Sequence, residues 1–156
     1  TLSSALQDPH PFVRMAALEL AAPRSTPPVG ALLDVSDARV IEQAAWACGE
    51  RPHDSAVTSQ LAGLAQTHDD PLVREAAVAA LGAIGHEDGL PAILTAASDK
   101  PAVRRRAVLS LAAFEGPEVD AAWERARNDR DRQVRDAVDE LLGPATTDDP
   151  AHPDRS

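Results

Sequence analysis

Five histidines, one cysteine and a set of paired acids are the residues of this 156-residue chain that could carry chemistry. A metal centre needs imidazole, thiolate or carboxylate groups that converge on one point. The one His-Glu pair, His86-Glu87, falls in a turn, and His10, His53, His68 and His152 are scattered through loops and the C-terminal stretch. They read as surface histidines, and no metal is expected. Nucleophilic catalysis fails on inventory as well. Cys48 stands alone, which rules out an intrachain disulfide, and it occupies an apolar register position where a thiol acts as a small hydrophobe. Asp69-Asp70 reads as a capping turn and Asp148-Asp149 as part of a tail, so neither supplies an acid–base pair in a pocket. No glycine-rich loop is present to cradle a phosphate. No catalytic residue and no cofactor are expected.

Charge narrows the partners. The chain carries a net charge of −10 and a pI near 4.8, which keeps it soluble and repels nucleic acid and anionic membranes. Residues 1–99 hold five arginines against thirteen acids, and Arg104-Arg105-Arg106 makes a local basic patch and no groove. Phosphate binding needs many cations on one surface, so nucleic acid is disfavoured. No stretch approaches the roughly 18 apolar residues of a membrane span. No basic-then-apolar leader opens the chain, so the cytoplasm is the expected compartment. The chain opens inside a repeat without an initiator Met, so either an excised domain or further residues upstream are expected.

The elements that hold these residues repeat. Asp70-Pro71-Leu72-Val73-Arg74 opens a stretch in which Asp70 caps, Pro71 takes the first helical position, and Val73, Ala77, Ala80, Leu81 and Ile84 share one helix face. Gly85 offers a left-handed stop. The pattern returns at Val13, Val40, Val103 and Val134, in steps of 27, 33, 30 and 31 residues. A helix recurring about every thirty residues is the mark of a solenoid. Between these helices the sequence predicts shorter ones near 28–34, 55–66, 90–97 and 116–127. The pattern helices themselves are expected at 11–22, 38–50, 71–84, 101–114 and 132–142. Pro23-Arg24-Ser25-Thr26-Pro27-Pro28 breaks the first unit from the second. From Pro144 to Ser156 no Leu, Ile, Val or aromatic residue occurs, and a disordered acidic, proline-rich tail is expected there.

Asp70 to Gly82, read as Asp-Pro-x-Val-Arg-x-x-Ala-x-x-Ala-Leu-Gly, resembles the second helix of a HEAT repeat, in the short form first described in phycobilin lyases. The resemblance covers residues 1–143. It implies an all-α fold, a right-handed α-solenoid of about five helix pairs, with units near 1–22, 23–50, 51–85, 86–115 and 116–143. It also implies that second helices line the concave face. The arginine after each key valine (Arg14, Arg74, Arg104, Arg135) would join an Asp–Arg ladder between units, broken at unit two by Ile41. HEAT families include scaffolds, chromophore lyases, a di-iron hydroxylase and DNA glycosylases, so the fold alone does not choose a function. The hydroxylase would need His-Glu pairs at the starts of the concave helices. Arg14-Met15, Ile41-Glu42, Arg74-Glu75, Arg104-Arg105 and Arg135-Asp136 stand there instead. Trp46 and Glu50, one turn apart, faintly resemble a glycosylase base cradle, but the face around them is acidic.

What remains is the concave stripe two and six residues after each valine: Met15/Glu19, Glu42/Trp46, Glu75/Ala79, Arg105/Leu109 and Asp136/Glu140. Met15, Glu42, Trp46, Glu75, Arg105 and Leu109 are the candidate partner-binding residues, with Trp46 either the anchor of a partner or a side chain that fills space in the irregular second unit, where Ile41 replaces Arg. The expected function is a protein–protein interaction scaffold or regulatory module that takes a basic or helical segment of another protein. A lyase-like enzyme or chaperone for a prosthetic group and a nucleic-acid-binding module are the alternatives. Trp123, on a first helix, is expected to pack the convex layer.

Overall fold

A computed structural model describes residues 2–21 and 29–144. Among these residues nine α-helices follow one another, and no strand occurs. They are α1 (Leu2–Leu6), α2 (Pro11–Ala21), α3 (Ala38–Gly49), α4 (Ser55–Thr67), α5 (Pro71–Ile84), α6 (Leu90–Ala96), α7 (Pro101–Ser110), α8 (Pro117–Arg127) and α9 (Arg132–Leu142). Short 3-10 turns stand at Val29–Asp34, Glu87–Gly89 and Leu111–Ala113. The break expected at 23–28 and the tail expected from 144 onward lie, apart from Pro144, outside the described residues.

Local chemistry sets the helix ends. Asp37, Asp54, Asp70 and Asp131 sit in extended backbone, and each carboxylate accepts a backbone N–H of the first turn. Pro occupies the first turn of α5, α6, α7 and α8, where the missing N–H has no helical partner to lose. Gly85 ends α5 in the left-handed region at φ 67°. Two expected helices differ from the sequence reading. The segment near 28–34 is a 3-10 turn over Val29–Asp34, and the helix expected over 101–114 is α-helical to Ser110, then tightens into 3-10 at Leu111–Ala113.

The helices stack as an α-solenoid in two layers. Helices α2, α3, α5, α7 and α9 touch their successors along one layer, and α4, α6 and α8 do so along the other. Alanine makes the close approach possible. Ala44, Ala77 and Ala107 are fully buried, and a Cβ placed on Gly82 would lie 2.6 Å from Ser110 Cβ and 2.9 Å from its Cα. Backbone therefore meets backbone where α5 crosses α7, and Ser110 Oγ donates to Val78 O across the same contact at 3.1 Å.

One apolar core runs from Leu6 to Ala122, with Leu61, Leu81, Ile93 and Leu111 among its largest buried side chains. A second, smaller cluster of Val108, Ala126, Val134, Ala137 and Val138 holds the last helix pair. Trp123 packs against both clusters and donates its indole N–H to Val108 O at 3.2 Å. The key valines Val40, Val73, Val103 and Val134 are wholly buried, but Val13 is 39% exposed. Among the described residues the second unit offers only the 3-10 turn Val29–Asp34 where later units offer a full first helix. Cover for Val13 is correspondingly thin.

Candidate functional site

Two of the arginines that follow the key valines tie one unit to the next. Arg74 grips Asp99 through Nε at 2.7 Å and Nη2 at 2.8 Å, while its Nη1 donates to the carbonyls of His68 and Asp69. Arg104 grips Asp129 in the same two-pronged way, at 2.8 Å for both bonds, and reaches Asp99 O at 2.8 Å. Each pair spans 25 residues and joins one unit to the next. The guanidinium hydrogen bonds hold the Asp99 and Asp129 carboxyls below the usual carboxylate range, against the opposing pull of burial. Arg14 and Arg135, expected in the same ladder, instead reach carbonyls of their own preceding turns. Ile41, at the equivalent place in α3, is buried among apolar groups and gives no rung.

Helices α3, α5 and α7, neighbours in one layer, frame an open depression of about 510 Å³, lined chiefly by apolar atoms of Trp46, Ala79, Gly82, Ala83 and Leu109 and by Arg106. Trp46 is 40% exposed. It is also flanked on two sides. The Glu42 carboxylate stands one turn earlier on the same helix, within reach of the indole N–H. The Arg106 guanidinium lies 5.4 Å from the ring centroid, within cation–π range. Arg106 Nη2 in turn donates to Glu75 Oε1 at 3.3 Å. Burial pushes the Glu42 carboxyl up, and the negative charges of Asp70 and Glu75 push it further, although the Trp46 indole N–H pulls it down.

The candidate residues named from sequence divide accordingly. Glu42, Trp46 and Glu75 belong to one linked group, and Leu109 lines the same depression as Trp46. Met15, on α2, is half-buried against the main core and lines no part of this depression. Arg105 points elsewhere, into a separate hollow of about 320 Å³ with Gln133, Asp136, Ala137 and Glu140. The basic residue at Trp46 is its neighbour Arg106, which the two-and-six register passes over. A helix advances about 100° per residue, and that one step moves a side chain from the α9 side of α7 to the α5 side.

The histidines also depart from expectation. His53 and His86 are not scattered: their rings stack with centroids 3.6 Å apart, beside Asp88. Cys48 is buried, as its register predicts, and burial pushes its thiol up to about 11. Among the described residues no helix is long and apolar enough to cross a membrane.

Comparison with known proteins places this architecture. No curated protein sequence matches the chain. Among solved structures, human deoxyhypusine hydroxylase in complex with glycerol superposes with a TM-score of 0.62 at 20% identity, over 90% of this chain and 71% of that one. At that identity the likeness is one of fold alone. The family model for HEAT repeats matches residues 61–143, the stretch that carries α5, α7, α9 and both Arg–Asp rungs. The chain therefore belongs to the HEAT-repeat family.

Proposed function

We propose that this chain is a protein-interaction module of five units, bounded near residues 22, 50, 85, 115 and 143, working in the cytoplasm. Its α3–α5–α7 face receives a basic, apolar-anchored helical segment of another protein. The observation that carries the reading is Trp46, a large indole that stands exposed with the Glu42 carboxylate and the Arg106 guanidinium beside it. No rule of the repeat asks for it, since Ala79 and Leu109 take the equivalent places. A rigid aromatic side chain loses little entropy on binding, which is why tryptophan anchors so many interfaces.

Charge argues for the sign of the partner. The negative charges of Asp70 and Glu75 bear on Glu42, and Arg106 is already paired with Glu75. A cationic side chain arriving there relieves that repulsion, whereas a phosphate backbone adds to it.

The test is fluorescence anisotropy with labelled helical peptides, one series basic and apolar, the other acidic with the same apolar positions. The basic series should bind, and Trp46→Ala should weaken it by about 2 kcal/mol or more, with an unchanged melting temperature. Equal binding by the variant, or preference for the acidic series, overturns the proposal.

A further inference from the structure

We propose that His53, His86 and Asp88 form a binding site for a divalent transition-metal ion of the zinc class, clasping the turns that follow α3 and α5. The repeat itself brings the histidines together. Val40 and Val73 stand 33 residues apart and so do His53 and His86, so the two imidazoles hold the same register position in stacked neighbours. His53 lies in the turn between α3 and α4, and His86 in the turn between α5 and α6. Asp88 brings Oδ2 within 3.3 Å of His86 Nδ1 and 3.6 Å of His53 Nε2. One potential ligand atom from each of the three residues lies within 4.8 Å of the other two.

Those spacings suit a metal. Bonds of about 2.0–2.2 Å at a tetrahedral angle put ligand atoms roughly 3.3–3.6 Å apart. Two imidazole nitrogens and one carboxylate oxygen, with a fourth place for water, favour zinc and its neighbours over the oxygen-seeking magnesium and calcium. The competing partner of His86 Nδ1 is the Asp88 backbone N–H, and at 3.3 Å that bond is long. A metal lies in the plane of an imidazole, so the rings must tilt out of their stack, which spans 13° between planes, to share one ion. His53 is exposed and has room to do so.

The site lies at the other end of these helices from the rungs. Rungs join the third unit to the fourth and the fourth to the fifth, but Ile41 removes the rung between the second and third. His53 follows α3, and His86 and Asp88 follow α5, so a bound ion joins these neighbouring helices beyond their C-terminal ends, while Ile41 leaves α3 without a rung near its N-terminal end. The site shares no residue with the Trp46 depression and does not rest on the function proposed for it.

The full untagged chain, stripped of metal with a chelator, is titrated with Zn²⁺ by calorimetry, and its melting temperature is followed in parallel. One equivalent should bind saturably and raise the melting temperature, because an ion that binds only the folded state stabilises it. The His53→Gln/His86→Gln double variant should lose this, and Asp88→Asn should weaken it about tenfold or more, each melting like the wild type without metal. A wild type that takes up no ion overturns the proposal. So does a double variant that still binds one equivalent with the same affinity.

Discussion

Arg104 shows how one side chain can carry a junction. It is only 6% exposed, and its charge is met by Asp129 with two 2.8 Å bonds. Replacing Asp129 with Asn leaves a buried cation short of its counter-charge, so Asp129→Asn should cost about 2–4 kcal/mol in denaturant titration. A loss under about 1 kcal/mol would mean the rung contributes orientation and little energy. The same geometry sets a pH dependence. Asp99 and Asp129 ionise more easily in the folded chain than at their ordinary value of 3.8, so their stabilisation is complete above that value. It is lost as pH falls through their lower folded values, because the unfolded chain then takes up protons first. Melting temperature should therefore fall more steeply below about pH 4 in the wild type than in an Asp99→Asn/Asp129→Asn variant.

Helix α5 is the element on which its neighbours converge. It packs against α3, α4, α6 and α7, and seven of its residues are buried. Leu81→Ala removes one of the largest wholly buried side chains and should destabilise the chain by roughly 2–5 kcal/mol. Gly82→Ala tests the opposite error. The added methyl would press on the Ser110 backbone at 2.9 Å, which a rotamer change cannot relieve, so about 1–3 kcal/mol should be lost through overpacking. Chemical denaturation of both variants checks the pair; a neutral Gly82→Ala would show that α5 and α7 can move apart without penalty.

Along the whole molecule the core is not uniform. The last helix pair has its own apolar cluster, joined to the main core through Trp123 and to α7 through the Arg104–Asp129 rung. Ending the chain after Phe114 uncovers Val108 and strands Arg104 without its partner. Stability in stacked repeats is a sum of units and interfaces, so the melting temperature should fall by on the order of 10 °C or more. A shift of only a few degrees would make the fifth helix pair an independent appendage.

The sequence by itself determined the helices, their caps and their period. These depend on neighbours three or four residues away, and Asp70, Pro71, Val73, Ala77, Leu81 and Gly85 state them within one stretch. It also marked the register position from which rungs arise, shared by Arg14, Arg74, Arg104 and Arg135, but among the described residues only Arg74 and Arg104 meet an aspartate of the next unit. Tertiary structure alone decided which side chains meet across units. A rotation of about 100° per residue separates Arg105 from Arg106, and a repeat pattern alone does not resolve that step at a helix crossing. Arg106, not Arg105, therefore sits over Trp46. His53 and His86 follow the same logic: their 33-residue separation equals the local repeat step, yet only the stacking of units turns equal register into rings 3.6 Å apart. Val13 is the converse case, a residue of the right type in the right register that stays exposed because burial requires a neighbour as well as a pattern.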